Sequence, residues 1–106
     1  MAAKQKFSLV ANPTFTRAVE IPVAGGKPAT VEFTFKHRTR DAFRELLDGM
    51  AGRDDISLLQ DVACGWELSD PFDADSLNTL IQNYAGAGRA VVEAYIDELR
   101  GARRGN

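Results

Sequence analysis

The side chains best suited to covalent chemistry in this sequence are its single histidine, His37, and its single cysteine, Cys64. A cysteine nucleophile needs a general base within hydrogen-bond reach. His37 lies between Lys36 and Arg38, where we expect an exposed side chain, whereas Cys64 lies among apolar residues, where we expect a small buried one. Structural zinc needs about four nitrogen or sulfur ligands. We therefore predict neither a catalytic residue nor a zinc site.

Two glycine-containing stretches fail as phosphate-binding loops. A P-loop needs an early glycine and a Ser or Thr after its lysine, so that backbone amides and a hydroxyl surround the phosphates. Residues 26–28 have Pro28 after the lysine and Ile21 in place of the early glycine. Residues 86–88 have Val91 in place of the third glycine of a dinucleotide-binding loop. The sequence therefore predicts no nucleotide cofactor.

The carboxylates do not form a recognisable metal site either. Asp73 and Asp75 match the first two ligands of a calcium-binding loop, but Leu77, Asn78 and Tyr84 occupy the positions of the third ligand, the turn glycine and the bidentate glutamate. Most other carboxylates fall on the polar faces of predicted helices, where solvation is their ordinary role. We predict no metal ion.

The net charge of −2 is unevenly distributed along the chain. Residues 1–40 carry seven Lys or Arg against two Glu, residues 41–99 carry three Arg against thirteen Asp or Glu, and residues 100–106 carry three Arg. A nucleic-acid-binding domain is usually basic as a whole. Residues 36–40, with the sequence KHRTR, could still contact phosphate. A small nucleic-acid-binding regulator that uses this segment therefore remains an alternative.

Alternating apolar and polar residues predict an N-terminal β-hairpin. The two strands span Phe15–Val23 and Thr30–Arg38, and a turn rich in Gly and Pro separates them. Phe33 and Phe35 fall on the inward face of the second strand. The segment Phe7–Val10 is compatible with a short third strand.

After Thr39 the apolar spacing changes to i, i+3, i+4 and i+7, which predicts about four short amphipathic helices. Thr39, Asp54 and Asp73 are the expected N-terminal signals, Gly65 is expected to stop the second helix, and Gly101 to end the fourth. The predicted fold class is α+β, with the helices packed on each other and on the apolar face of the hairpin.

Protein binding is the role that these observations favour, while a small hydrolase or transferase that uses carboxylates remains a second alternative, which a deep pocket with a buried Asp or Glu would support. Trp66 is the only tryptophan, and tryptophan is enriched both in cores and at interfaces. We expect it to anchor the core near Phe72. The candidate partner-binding residues are Trp66, Phe72, Tyr84, Arg103 and Arg104.

A chain of 106 residues has the length of a single domain, here 1–106, with loosely held ends at 1–6 and 101–106. One cysteine cannot form an internal disulfide, which is compatible with a reducing cytoplasm. No apolar run reaches the ~18 residues of a membrane span, and none follows the N-terminus as a secretory signal would require. We therefore expect no membrane partner.

Four stretches together resemble the phage tail assembly chaperones of tailed phages and prophages. They are Phe7–Phe15, Val31–Arg40, Cys64–Leu68 and Asn83–Tyr95, with the last continuing to the end at Arg103-Arg104-Gly105-Asn106. The resemblance covers most of the chain. The sequence departs from the family pattern at Ala85 and Gly88, where a proline and a better helix former are expected.

The resemblance implies an assembly factor without cofactor or catalytic residue. Chaperones of this family are thought to bind the long tape-measure protein, to keep it soluble and to help recruit tail-tube subunits. The resemblance further implies that the protein acts in the bacterial host cytoplasm and is absent from the mature virion. Self-association is compatible with several copies covering one long client.

Overall fold

The computed structural model describes residues 7–101. They form a three-stranded antiparallel sheet and four helices, which confirms the predicted α+β class. Strands β1 (Thr14–Ile21) and β2 (Ala29–Lys36) make the predicted hairpin, in register from Thr14 opposite Lys36 to Ile21 opposite Ala29. The strand bounds differ from the predicted ones by one or two residues.

The third strand is β3 (Ala63–Trp66), which pairs antiparallel with the far side of β2. The pairing places Ala63 opposite Phe35 and Gly65 opposite Thr34. Cys64 is therefore the extra residue of a β-bulge.

Three expectations were wrong in this region. Phe7–Val10 does not form a strand, the second helix ends before Gly65, and Cys64 is exposed rather than buried. The cause is the pairing of β3 with β2, two segments far apart in the sequence. The pattern of apolar residues within one short segment does not indicate such a pairing. Ala63 lies opposite the buried Phe35 and is itself buried, whereas Cys64, the unpaired residue of the bulge, is exposed.

The four helices are α1 (Arg40–Asp48), α2 (Asp55–Val62), α3 (Ala74–Asn83) and α4 (Ala87–Arg100). The first three begin after a side-chain cap that accepts a hydrogen bond from a backbone N–H of the first turn. The capping residues are Thr39, Asp54 and Asp73. Helix α4 ends at Gly101, whose φ of +69° is the left-handed conformation that glycine adopts most easily.

The core lies between one face of the sheet and the helices. Phe33 and Phe35 on β2 are fully buried, as predicted, and so are Leu59 on α2 and Tyr95 on α4. The remaining buried apolar residues are Val19, Ile21, Phe43, Leu46, Leu58, Val62, Ala63, Leu77, Ala87, Val91 and Ala94. Helix α4 packs against both α2 and β1 and so joins the helical layer to the hairpin.

Gly88 on α4 lies against Asp55, the first residue of α2. A Cβ atom at this position would lie 2.9 Å from Oδ2 and 3.0 Å from Cγ of Asp55. A larger residue would therefore force the Asp55 side chain to move, although helix propensity alone favours another residue than glycine here.

Candidate functional site

A shallow aromatic groove lies between the end of β3 and helix α3. Its volume is about 230 Å³. Trp66 and Tyr84 both line it, and Tyr84 and Leu68 are each 40% exposed. We call it the aromatic groove, and its lining residues are Trp66, Leu68, Asp70, Ser76, Thr79, Leu80, Asn83 and Tyr84.

Two ring contacts and one hydrogen bond fix the position of Trp66 in this groove. Its ring meets Phe72 edge to face at 5.1 Å between centroids and Phe33 of the core at 5.7 Å. Its Nε1 donates a hydrogen bond to the backbone oxygen of Asp70 at 2.9 Å. Trp66 is half-buried, so one part of the ring packs on the core near Phe72 and another part faces the groove. Phe72 supports the groove from behind and does not line it.

A second, larger groove lies between the end of β2, helix α1 and the end of α4. Its volume is about 540 Å³. Phe43, Leu47 and Leu99 form an apolar floor, and four arginines surround it. We call it the arginine groove, and its lining residues are His37, Arg38, Thr39, Arg40, Phe43, Arg44, Leu47, Asp48, Leu99 and Arg100.

A polar network fixes Arg38 at the inner edge of the arginine groove. Arg38 donates to Oδ1 of Asp61 at 2.7 Å and to the hydroxyl of Tyr95 at 3.0 Å. Tyr95 in turn donates to the backbone oxygen of Lys36 at 2.8 Å. Arg53 donates to Oδ2 of Asp61 at 2.9 Å. The network therefore joins the end of β2 to α2 and α4.

The hydrogen bonds of this network favour the ionised carboxylate of Asp61. The hydrogen bond from Arg53, followed by that from Arg38, lowers the pKa of Asp61, although partial burial opposes the change. Burial raises the pKa of Tyr95, so its hydroxyl stays protonated and able to donate. Asp61 is thus an ionised anchor between two guanidinium groups at neutral pH.

The basic segment 36–40 is partly occupied by contacts within the molecule. Lys36 Nζ donates to the backbone oxygen of Gln60 at 3.0 Å, and Arg38 binds Asp61 and Tyr95. His37 and Arg40 are exposed. Two of the four basic side chains therefore form hydrogen bonds within the molecule. Fewer are left to contact phosphate, which weakens the hypothesis that this segment binds nucleic acid.

A family model described as phage tail assembly chaperone matches residues 1–106, the whole chain. The chain belongs to the phage tail assembly chaperone family. No curated protein and no solved structure matches it significantly. Membership confirms the resemblance found in the sequence, and a chaperone of tail assembly has a tail protein as its partner.

The structure does not join the residues considered above for covalent chemistry. His37 and Cys64 are both exposed, and no hydrogen bond joins the two described side chains. Among residues 7–101, no group of three or more His, Cys, Asp or Glu side chains is arranged to hold a metal ion. No helix in the same range is long and apolar enough to cross a membrane.

The structure brings together part of the predicted set of partner-binding residues. Trp66, Phe72 and Tyr84 lie around one groove, whereas Arg103 and Arg104 lie outside the described residues. The arginine groove was not predicted, because its floor residues have the spacing of ordinary core positions. The signal available was the pair Arg40 and Arg44, four residues apart and hence on one helix face.

Proposed function

We propose that this chaperone holds the tape-measure protein during tail assembly and helps to recruit tail-tube subunits, without catalysing a covalent reaction. The match of the family model over the entire chain carries the proposal. A partner-binding role also agrees with a surface that offers two grooves.

The aromatic groove is the proposed contact for an apolar segment of the client. Tryptophan and tyrosine are common at the centres of protein interfaces, because they bury a large area with few rotatable bonds. Trp66 is positioned by Phe33 and Phe72, so little conformational entropy is lost when a partner covers its exposed part. Tyr84 and Leu68 extend the apolar surface on either side.

The residues before β1 provide a second exposed apolar surface. Phe7, Leu9 and Val10 are 88%, 93% and 81% exposed, respectively. Contiguous exposed apolar residues of this kind are typical of interaction segments. We propose that they contribute to client binding together with the aromatic groove and with Arg103 and Arg104.

Binding is proposed to be transient, since an assembly factor must be displaced as the tail tube grows. Micromolar affinity per site, about −8 kcal/mol, satisfies this requirement. Several copies on one long client would raise the overall affinity through multivalency. We place the protein in the host cytoplasm and outside the finished virion.

Co-expression with the tape-measure protein of the same phage tests the proposal. We expect the tape-measure protein to be soluble only with the chaperone, and the two to co-purify at low and moderate salt. The double variant Leu68→Ser/Tyr84→Ser should reduce co-purification at least tenfold, whereas Gln82→Ser, an exposed change on the neighbouring helix α3, should not.

Two results would contradict the proposal. One is a tape-measure protein that is equally soluble alone and never co-purifies with the chaperone. The other is a salt-sensitive complex with DNA that forms in preference to any tail protein, which would favour the regulator that uses residues 36–40.

A further inference from the structure

The arginine groove gathers positive charge on a molecule that is otherwise acidic. Residues 7–101 contain fifteen Asp or Glu against nine Lys or Arg. Within the groove the balance is reversed, with four arginines and a single acid, Asp48. A basic site of this kind attracts anionic groups.

Three of the four arginines are available to a ligand. Arg38 is held by Asp61 and Tyr95. Arg40, Arg44 and Arg100 form no ion pair with any residue in 7–101, and all three are exposed. Arginine side chains of this kind can bind carboxylates through two parallel hydrogen bonds.

The floor of the groove identifies the class of ligand. Leu47 and Leu99 are half-buried and lie between the arginines, so a ligand that reaches the guanidinium groups also covers aliphatic side chains. Exposed aromatic rings on which bases stack are typical of sites that bind single-stranded nucleic acid. The only aromatic ring on the floor, that of Phe43, is 9% exposed and packs edge to face on Tyr95 at 6.4 Å. The floor therefore suits apolar side chains of a peptide rather than bases.

We propose that the arginine groove binds an acidic amphipathic segment of the tape-measure protein, an inference that rests on the proposed function. Apolar residues of the segment cover Leu47 and Leu99, and its carboxylates meet Arg40, Arg44 and Arg100. This is the helix-in-groove mode of recognition, with charge setting the orientation.

Overlapping 20-residue peptides that cover the tape-measure protein provide the test, with binding measured by fluorescence anisotropy at two salt concentrations. We expect one group of bound peptides to be net negative, with apolar residues at i, i+3 or i+4, and i+7. Their affinity should fall as salt rises. The double variant Arg40→Glu/Arg44→Glu should weaken their binding at least tenfold.

The matched control is Lys27→Glu/Arg89→Glu, which changes the net charge by the same amount at exposed positions outside the groove. It should change the affinity less than twofold. Both double variants should keep a melting temperature close to that of the wild type, since the Arg89–Glu93 pair that the control removes is exposed. A 20-base-pair DNA duplex serves as competitor and should not displace the acidic peptides at equal concentration.

Each other outcome has a distinct meaning. If peptides bind but are neutral or basic, or if the groove variant binds them as well as the control does, the inference is wrong while the proposed function stands. If the duplex displaces the peptides, the groove is a nucleic-acid site and the inference is wrong. If neither peptides nor the intact tape-measure protein bind, the proposed function fails and the inference fails with it.

Discussion

The aromatic groove and the arginine groove are built in opposite ways. The walls of the aromatic groove come from one continuous stretch, residues 66–84, in which Trp66 packs on Phe72 and on the core. The arginine groove joins two stretches that lie far apart in the sequence, 37–48 and 99–100. Its exposed arginines take no part in the core, and the buried network of Arg38, Asp61 and Tyr95 holds its inner edge.

The two grooves therefore relate stability to binding in different ways. In the aromatic groove the same side chain, Trp66, contributes to the fold and to the proposed contact. In the arginine groove the proposed contacts, Arg40 and Arg44, lie on the rim, and different residues hold the segments together. Substitution of Trp66 should therefore change stability and binding together, whereas substitution of Arg40 and Arg44 should change binding alone.

The largest expected effect is that of Trp66→Ala. Replacing a buried aromatic residue by alanine costs about 3–5 kcal/mol, and because Trp66 is half-buried we expect a loss of about 2–3 kcal/mol in the free energy of unfolding. Urea unfolding followed by circular dichroism measures it. A variant that unfolds like the wild type but no longer binds its partner would assign Trp66 entirely to the interface.

The second effect concerns the network beneath the arginine groove. Tyr95→Phe removes the donor to Lys36 and the acceptor of Arg38, so we expect the free energy of unfolding to fall by about 1–2 kcal/mol. Tyr84→Phe, which removes an exposed hydroxyl, is the matched control and should leave it unchanged. If the two variants are equally stable, the network does not stabilise the fold.

Local features of the fold were predictable from the sequence, and non-local ones were not. The hairpin and the caps Thr39, Asp54 and Asp73 follow from patterns that span a few residues. The third strand depends on Trp66 lying opposite Phe33, 33 positions apart, and was therefore misplaced at Phe7–Val10.

The residues of the two grooves were likewise predictable only where residue type or local spacing indicated them. Trp66, Phe72 and Tyr84 could be selected by residue type alone, because large aromatic residues are few in this chain. The ion pairs of Asp61 with Arg38 and Arg53 cross between elements and have no sequence signature. The arginine groove was missed because Leu47 and Leu99, which it leaves half-exposed, have the spacing of core residues.

A smaller, pH-dependent effect is expected for Asp61→Asn. Because the pKa of Asp61 is lower in the folded state than its unfolded value of about 3.9, its ion pairs stabilise the fold above pH ~4. This contribution is lost as the pH falls through the folded-state pKa. Since the side chain is 35% exposed, solvent screening limits it to about 0.5–1 kcal/mol.

Urea unfolding of wild type and Asp61→Asn at several pH values measures this contribution. The free energy of unfolding of the wild type should exceed that of Asp61→Asn by its largest amount at pH 7. This excess should decrease as the pH falls below ~4. Asp97→Asn, an exposed change on α4 without an ion pair to residues 7–101, is the control and should show no such trend. A difference that persists unchanged at pH 2 would indicate a role for Asp61 other than its charge.

The smallest effect on stability is expected for Arg40→Glu/Arg44→Glu, the same pair that should weaken acidic-peptide binding most. Glu at position 40 is favourable by about 0.3–1 kcal/mol, because it lies at the positive N-terminal end of α1. The new repulsion between positions 40 and 44, and between 44 and Asp48, opposes this by about 0.2–0.5 kcal/mol per pair. The two contributions nearly cancel, so the free energy of unfolding should stay within about 0.5 kcal/mol of the wild type. A loss above about 1 kcal/mol in urea unfolding would mean that these arginines also hold the fold. The arginine groove would then couple stability to binding just as the aromatic groove does.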